Sequence, residues 1–199
     1  MLKIFQIEVL ILVTFGCASV HKASFLDSYD TLQNGQYLER VSISRDLNSI
    51  QDFAIEVKNP SAKGAGQHAF FPPSEVEEYL LSALLSNLDS VGGIKVYHEG
   101  AKKPSANYLV LETAVTELEP GSKFGRFMAG ELGMGHSHIQ VEGRLINPID
   151  NKVLFAFVDR RAGSAMGGMD ITGGDPRTLV EDDLEGISNS LAKTLASLK

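Results

Sequence analysis

Ile139-Gln-Val-Glu-Gly-Arg-Leu-Ile-Asn-Pro-Ile-Asp-Asn-Lys-Val-Leu-Phe-Ala-Phe-Val158 is the stretch that decides the fold. Ile139, Val141, Gly143 and Leu145 alternate with Gln140, Glu142, Arg144 and Ile146, the period-two pattern of a strand with one buried face. Val153 to Val158 predicts a second strand. Between them lies Asn147-Pro148-Ile149-Asp150-Asn151, with turn chemistry at nearly every position. Strands joined by so short a connection pair antiparallel.

Working outward, Tyr108 to Leu118 predicts a third long strand rich in β-formers. Tyr37 to Ser44, Phe53 to Val57 and Ile94 to His98 add shorter ones. Lys58 to Pro73, with Asn59-Pro60, Gly64, Gly66 and Pro72-Pro73, reads as a surface loop. Ser74-Glu75-Val76-Glu77 has the form of a capping box. It opens a helix whose Val76, Tyr79, Leu80, Ala83, Leu84 and Leu88 share one face, with Gly92-Gly93 closing the region. Leu184, Ile187, Leu191, Leu195 and Leu198 predict a second amphipathic helix over about 178–198. The order of elements predicts an α+β domain, a mostly antiparallel sheet with two amphipathic helices packed on one face.

The N-terminus carries an address. Val9-Leu10-Ile11-Leu12-Val13-Thr14-Phe15 is followed by Gly16 and the only cysteine, Cys17. The apolar run is far shorter than the roughly 18 residues that span a bilayer, and Lys3 before it gives the form of a secretory signal. A small residue before a cysteine at the end of such a run is what a lipoprotein signal peptidase requires. A lone buried cysteine is the plainer alternative. The predicted organisation is therefore 1–16 a lipoprotein signal peptide, 17–36 a lipidated N-terminus and tether, and 37–199 a single domain. The tether is expected to become ordered, with Phe25, Leu26, Tyr29 and Leu32 spaced to share one face of a short helical turn packed against the domain. Ala18 and Ser19 after the cysteine favour the outer membrane over retention at the inner one. Acylation would commit the only thiol, leaving none for a disulfide, a metal or catalysis.

The formal charge of −7, with no basic cluster, argues against nucleic acid and against electrostatic docking on anionic lipid. The glycine-rich segment Pro120 to Gly135 interrupts two strands where a tight turn would suffice. Its Gly121, Lys123, Gly125, Arg126, Gly130, Gly133 and Gly135 form a candidate binding loop, read as a short helix, a lid or an irregular loop. A phosphate cradle would want a Gly-Lys-Ser/Thr ending, which is missing. A second such segment, Gly163 to Pro176, reads as a loop tip. His136 and His138, two apart on one strand face, are weak metal candidates, because zinc needs a third protein ligand and the completions His98, Glu112 and Asp159 have no spacing argument behind them. Asp159-Arg160-Arg161 reads equally as a salt-bridged rim. No Gly-x-Ser-x-Gly elbow or His-Glu-x-x-His helix appears, so no catalytic residue and no cofactor is called.

Three pieces resemble a family of bacterial lipoproteins known as domain of unknown function 3313. They are Gly16-Cys17, then Ser24-Phe-Leu-Asp-Ser-Tyr-Asp-Thr-Leu32 with the strand after it, and Val141-Glu-Gly-Arg-Leu-Ile-Asn-Pro-Ile-Asp-Asn-Lys-Val-Leu154. Ser24 and Asn147 stand where that family has Gly and Asp. The resemblance implies an envelope lipoprotein with no catalytic residues to carry over. The expectation is a non-enzymatic, outer-membrane-anchored protein facing the periplasm, with the membrane and another envelope protein as partners. The alternative is a ligand- or metal-binding periplasmic module using the Gly-rich loop with His136 and His138.

Overall fold

The computed structural model describes residues 23, 25–47, 50, 53–62, 71–101, 107–119, 137–163 and 176–198. Seven strands form one sheet: β1 (Gln33–Asn34), β2 (Arg40–Ile43), β3 (Ala54–Val57), β4 (Lys95–His98), β5 (Tyr108–Glu119), β6 (Ser137–Asn147) and β7 (Lys152–Gly163). Two helices, α1 (Pro73–Ser90) and α2 (Pro176–Ser197), complete the described elements. The strand order is β1-β2-β7-β6-β5-β3-β4. Only β3 departs from antiparallel pairing, running parallel to both β4 and β5. The domain is thus the predicted α+β fold with a mostly antiparallel sheet.

The β5-β6-β7 meander is the middle of the sheet, and its register sets the two faces. Asn147 pairs with Lys152 across the predicted turn, whose Asn147 and Asp150 carboxamide and carboxylate oxygens accept from the backbone N–H groups of Ile149 and Lys152 at 3.0 and 3.1 Å. Asn151 takes the left-handed φ of 57° that the turn needs, a conformation asparagine tolerates better than most residues. Alternation then sends Leu109, Leu111, Val115, Ile139, Val141, Leu145, Phe155 and Phe157 to one side. There they meet Leu80, Leu84 and Leu88 of α1 and Leu184, Leu191 and Leu195 of α2 in one buried core. The helices pack on each other, α1 over β3 and β4, α2 over β6 and β7. At Gly143 the missing side chain makes room for the ring of its cross-strand partner Phe157, both fully buried.

Three local expectations give way to tertiary structure. The Ser74–Glu77 capping box does not form. Proline at N1 and the Pro72 carbonyl, which accepts from Glu75 N at 3.0 Å, start α1, while Glu77 Oε1 accepts instead from the backbone N–H of Ala62 at 2.8 Å. The segment after Lys58 is not simply a surface loop: Ser61 bridges Ala114 in parallel, and Ala62 and Phe71 are buried in the core. Within residues 17–36, Gln33–Asn34 form β1 on β2. The spacing of Phe25, Leu26, Tyr29 and Leu32 does not yield a helical turn either. These residues run through bends and a turn, with Leu26 and Leu32 buried against Val158 on the side of the sheet away from the helices.

Candidate functional site

The face of the sheet opposite the helices carries the polar residues of the alternation. On β5, β6 and β7 these are Glu112, Thr116, Gln140, Glu142, Arg144 and Arg160. The N-terminal segment from Phe25 to Asn34 crosses this face as a strap. Its contacts are of several kinds. Leu26 and Leu32 close over Val158, Phe25 packs under the Arg144 guanidinium at 5.4 Å from its ring centre, and Asp27 lies 3.5 Å from the same guanidinium. Cation–ring and exposed ion-pair contacts of this kind contribute roughly 0.5–1 kcal/mol each, so the strap is held mainly by its leucines and by the hydroxyl of Tyr29.

Beneath the strap Glu142 has no exposure at all, and Gln140 beside it has none. A carboxylate taken out of water must be hydrogen-bonded. Glu142 meets this with three donors: the Tyr29 hydroxyl to Oε2 at 2.6 Å, and Gln140 Nε2 and the Thr116 hydroxyl to Oε1 at 2.9 and 3.0 Å. The Tyr29 oxygen also contacts the carbonyl of Ala23. Burial first, and then the hydrogen bond to Glu142, push the Tyr29 phenol above its ordinary value, so it stays a neutral donor. Thr116 reaches Glu142 because the β5–β6 register shifts between Val115 and Glu117, a bulge that makes Thr116 the extra residue.

Charged pairs flank this network along the same face. Glu112 takes Arg144 Nε at 2.9 Å and Lys58 Nζ at 3.2 Å, and these two cations hold its carboxyl below the usual range against the opposing effect of burial. On the other side Arg160 meets Glu117 at 2.7 Å. A shallow cleft of about 300 Å³ opens near Glu112, lined by Glu56, Lys58, Tyr108, Val110 and Ile146.

Substituting Tyr29 by phenylalanine is expected to cost about 1–3 kcal/mol, the penalty for removing a donor from a buried acceptor. Urea unfolding would measure the loss, and hydrogen exchange should show faster opening of residues 25–34 than of β6. An unchanged midpoint with unchanged exchange would show that Tyr29 does not hold the strap.

The other face has its own buried charges. Asp159, 5% exposed, accepts from Arg161 Nη2 at 3.1 Å and from the Glu39 backbone N–H at 3.0 Å. Arg161 continues to the Ser190 hydroxyl of α2 at 2.8 Å and lies against Gly186, where a β-carbon would come within 3.2 Å of its Cζ. Asp183 stands nearby. Burial pushes its carboxyl up to about 6; Arg161 opposes this, and Asp182 and Asp159 add to it. The cluster docks α2 on β7.

Cys17, the loop residues Gly121, Lys123, Gly125, Arg126, Gly130, Gly133 and Gly135, the second Gly-rich segment over 164–175, and His136 all lie outside the described residues. His138 is described, on the strap face between Glu119 and Ala162, with its Nδ1 buried and without a hydrogen bond among the described residues. The suggested completions of a metal site are not brought to it. His98 bonds Asn59 on the edge strand, Glu112 is engaged by Lys58 and Arg144, and Asp159 points to the helix side. Among the described residues no group of three metal-ligating side chains comes together. Sequence reading missed Glu142, Gln140 and Thr116 as a unit. The only signal available was Tyr29 in an otherwise polar segment, together with an acidic residue at mid-strand.

The described residues therefore define a small α+β domain whose helix-free sheet face is strapped by its own N-terminal segment, and among them no helix is long and apolar enough to cross a membrane. The chain belongs to the family described as domain of unknown function DUF4410, whose model matches residues 46–167, more than half of the sequence. This is a different uncharacterised family from the one its short motifs resemble. No curated protein matches the chain. Among solved structures it is similar to the PelC dodecamer from Paraburkholderia phytofirmans, at 12% identity over 71% of this chain and 90% of that one, with a TM-score of 0.47. It is also similar to protein XCC0632 from Xanthomonas campestris, of family DUF330, at 15% identity over 73% and 87%, with a TM-score of 0.45. Lipoprotein GNA1162 from Neisseria meningitidis shares 16% identity over 69% and 99%, with a TM-score of 0.38. Likenesses this distant lend the chain no activity.

Proposed function

We propose that the protein is a lipid-anchored lipoprotein of the bacterial outer membrane, a non-enzymatic module that holds another envelope component near the membrane surface. The observation that carries this reading is the distance from the anchor sequence to the fold. Gly16-Cys17 ends the apolar run, and from Phe25 onward the chain is already packed on the sheet. Such an arrangement suits a domain kept close to a bilayer. Glu142 and Glu112 are consumed in hydrogen bonds and ion pairs rather than held ready for proton transfer, which supports a non-enzymatic role.

Two acyl chains or more anchor stably where one binds only reversibly, at about 0.8 kcal/mol per buried methylene. Cys17→Ser is therefore expected to abolish fatty-acid labelling and to move the protein from the outer-membrane fraction to the soluble one. Labelling of cells followed by membrane fractionation reads both. A wild type that takes up no label, or a variant that stays in the membrane, would overturn the anchor. Cross-linking in intact envelopes tests the binding role, and a protein that captures no envelope component there would lose it.

A further inference from the structure

We infer that the strapped face of the sheet is the membrane-facing side of the domain, held against a lipid surface by the shortness of the chain that leaves it. The inference rests on the anchor proposed at Cys17. Its structural ground is where the N-terminal segment departs. The Tyr29 hydroxyl touches both Glu142 and the Ala23 carbonyl, so Ala23, the first described residue, lies beside Glu142. Glu142 lies on β6, the fourth of seven strands, and so at the centre of the sheet.

Only the residues between Ala23 and Cys17 separate that point from the lipid. Even fully extended they span no more than about 22 Å. Strands lie about 4.8 Å apart, so either edge of the sheet is roughly 14 Å from the central strand. Passing the edge and then the helical layer, itself about 10 Å thick and stacked about 10 Å from the sheet, needs more than about 30 Å. The chain can therefore reach a bilayer in front of the strapped face and cannot bring the helix side down onto it while the strap stays docked. Charge does not impose this orientation, since the chain carries −7 and the face mixes Lys58, Arg144 and Arg160 with Glu112, Glu117 and Glu142. The geometry of the tether does. The cleft beside Lys58 and Glu112 opens on the same side and would confront zwitterionic headgroups.

The test uses the full, acylated chain purified from membranes and reconstituted in phosphatidylethanolamine–phosphatidylglycerol vesicles containing a headgroup spin-labelled lipid. With Cys17 acylated, a fluorophore on one introduced cysteine reports one position. Lys58→Cys and Arg40→Cys place it on the strapped face, Ser86→Cys and Asn189→Cys on exposed positions of α1 and α2. Quenching at Lys58→Cys and Arg40→Cys is expected to exceed that on the helices several-fold, and Leu26→Ala with Leu32→Ala, which loosens the strap, should shrink the difference to under twofold. Equal quenching on the two sides of an acylated, vesicle-bound protein would overturn the orientation and leave the anchor standing. Wild type that binds vesicles no better than Cys17→Ser would overturn the anchor, and the orientation with it.

Discussion

Gly143→Ala is expected to destabilise the domain by about 3 kcal/mol, at the upper end of what overpacking a filled core costs. A β-carbon at this position would lie 2.6 Å from Phe157 Cζ and closer still to Cε1. Neither partner can give easily. Gly143 sits in the middle of β6 with β5 and β7 bonded on either side, and Phe157 is fully buried with Phe155 at 5.9 Å between ring centres. Urea unfolding followed by circular dichroism would measure the loss. Phe157→Leu in the same chain should recover part of it, because the collision is with the ring, and the two substitutions should show a coupling above about 0.5 kcal/mol, the limit for independent sites. A Gly143→Ala protein that unfolds with the wild-type midpoint would show that the ring does not rest on the glycine.

The same glycine marks how far the sequence could be read. Period-two alternation from Ile139 to Ile146 identified the strand and sorted its side chains into two sets, and Gly143 fell correctly among the inward ones. Alternation says which side chains share a face, but not whether that face is covered. Gln140 and Glu142 therefore read as the solvent side and are buried, because a segment more than a hundred residues earlier folds over them. That segment was hard to recognise for a related reason. Its Ser, Asp and Asn content resembles a linker, and its four apolar residues are spaced for a helical turn they do not form. Their contacts lie across the sheet and not along the chain.

Direction and order within the sheet were invisible for a similar cause. Nothing in Phe53 to Val57 announces that β3 inserts between β4 and β5 and runs parallel to both, since pairing partners are chosen by tertiary packing. The capping box failed because a long-range demand won over a local one: the Ala62 N–H, buried beside α1, takes the Glu77 carboxylate that would have turned back to the helix start. By contrast, both helix stripes survived, since burying a continuous apolar face is the larger effect.

Arg161→Met is expected to destabilise the domain by about 3 kcal/mol at pH 8, and by progressively less as the solution is acidified toward pH 4. Removing one partner of a buried ion pair leaves the other charge without compensation, at a cost of roughly 3–5 kcal/mol, and the lower end applies because Arg161 is 29% exposed. The carboxylates left behind are Asp159 and Asp183, both already raised by burial and both held down by Arg161. Without the guanidinium their folded-state values rise further. A carboxyl raised in the folded state binds its proton there before the unfolded chain does, so its unfavourable contribution is complete above the folded value and disappears as pH falls through it toward the unfolded one. In the wild type this window runs from about 6 down to 3.8 for Asp183, which predicts that Asp183→Asn stabilises the protein at pH 8 and by much less at pH 4.5. Urea midpoints of the three proteins at pH 8, 6 and 4.5 test both statements. A deficit in Arg161→Met that stays constant with pH would mean that packing of the guanidinium on Gly186, and not its charge, joins α2 to β7.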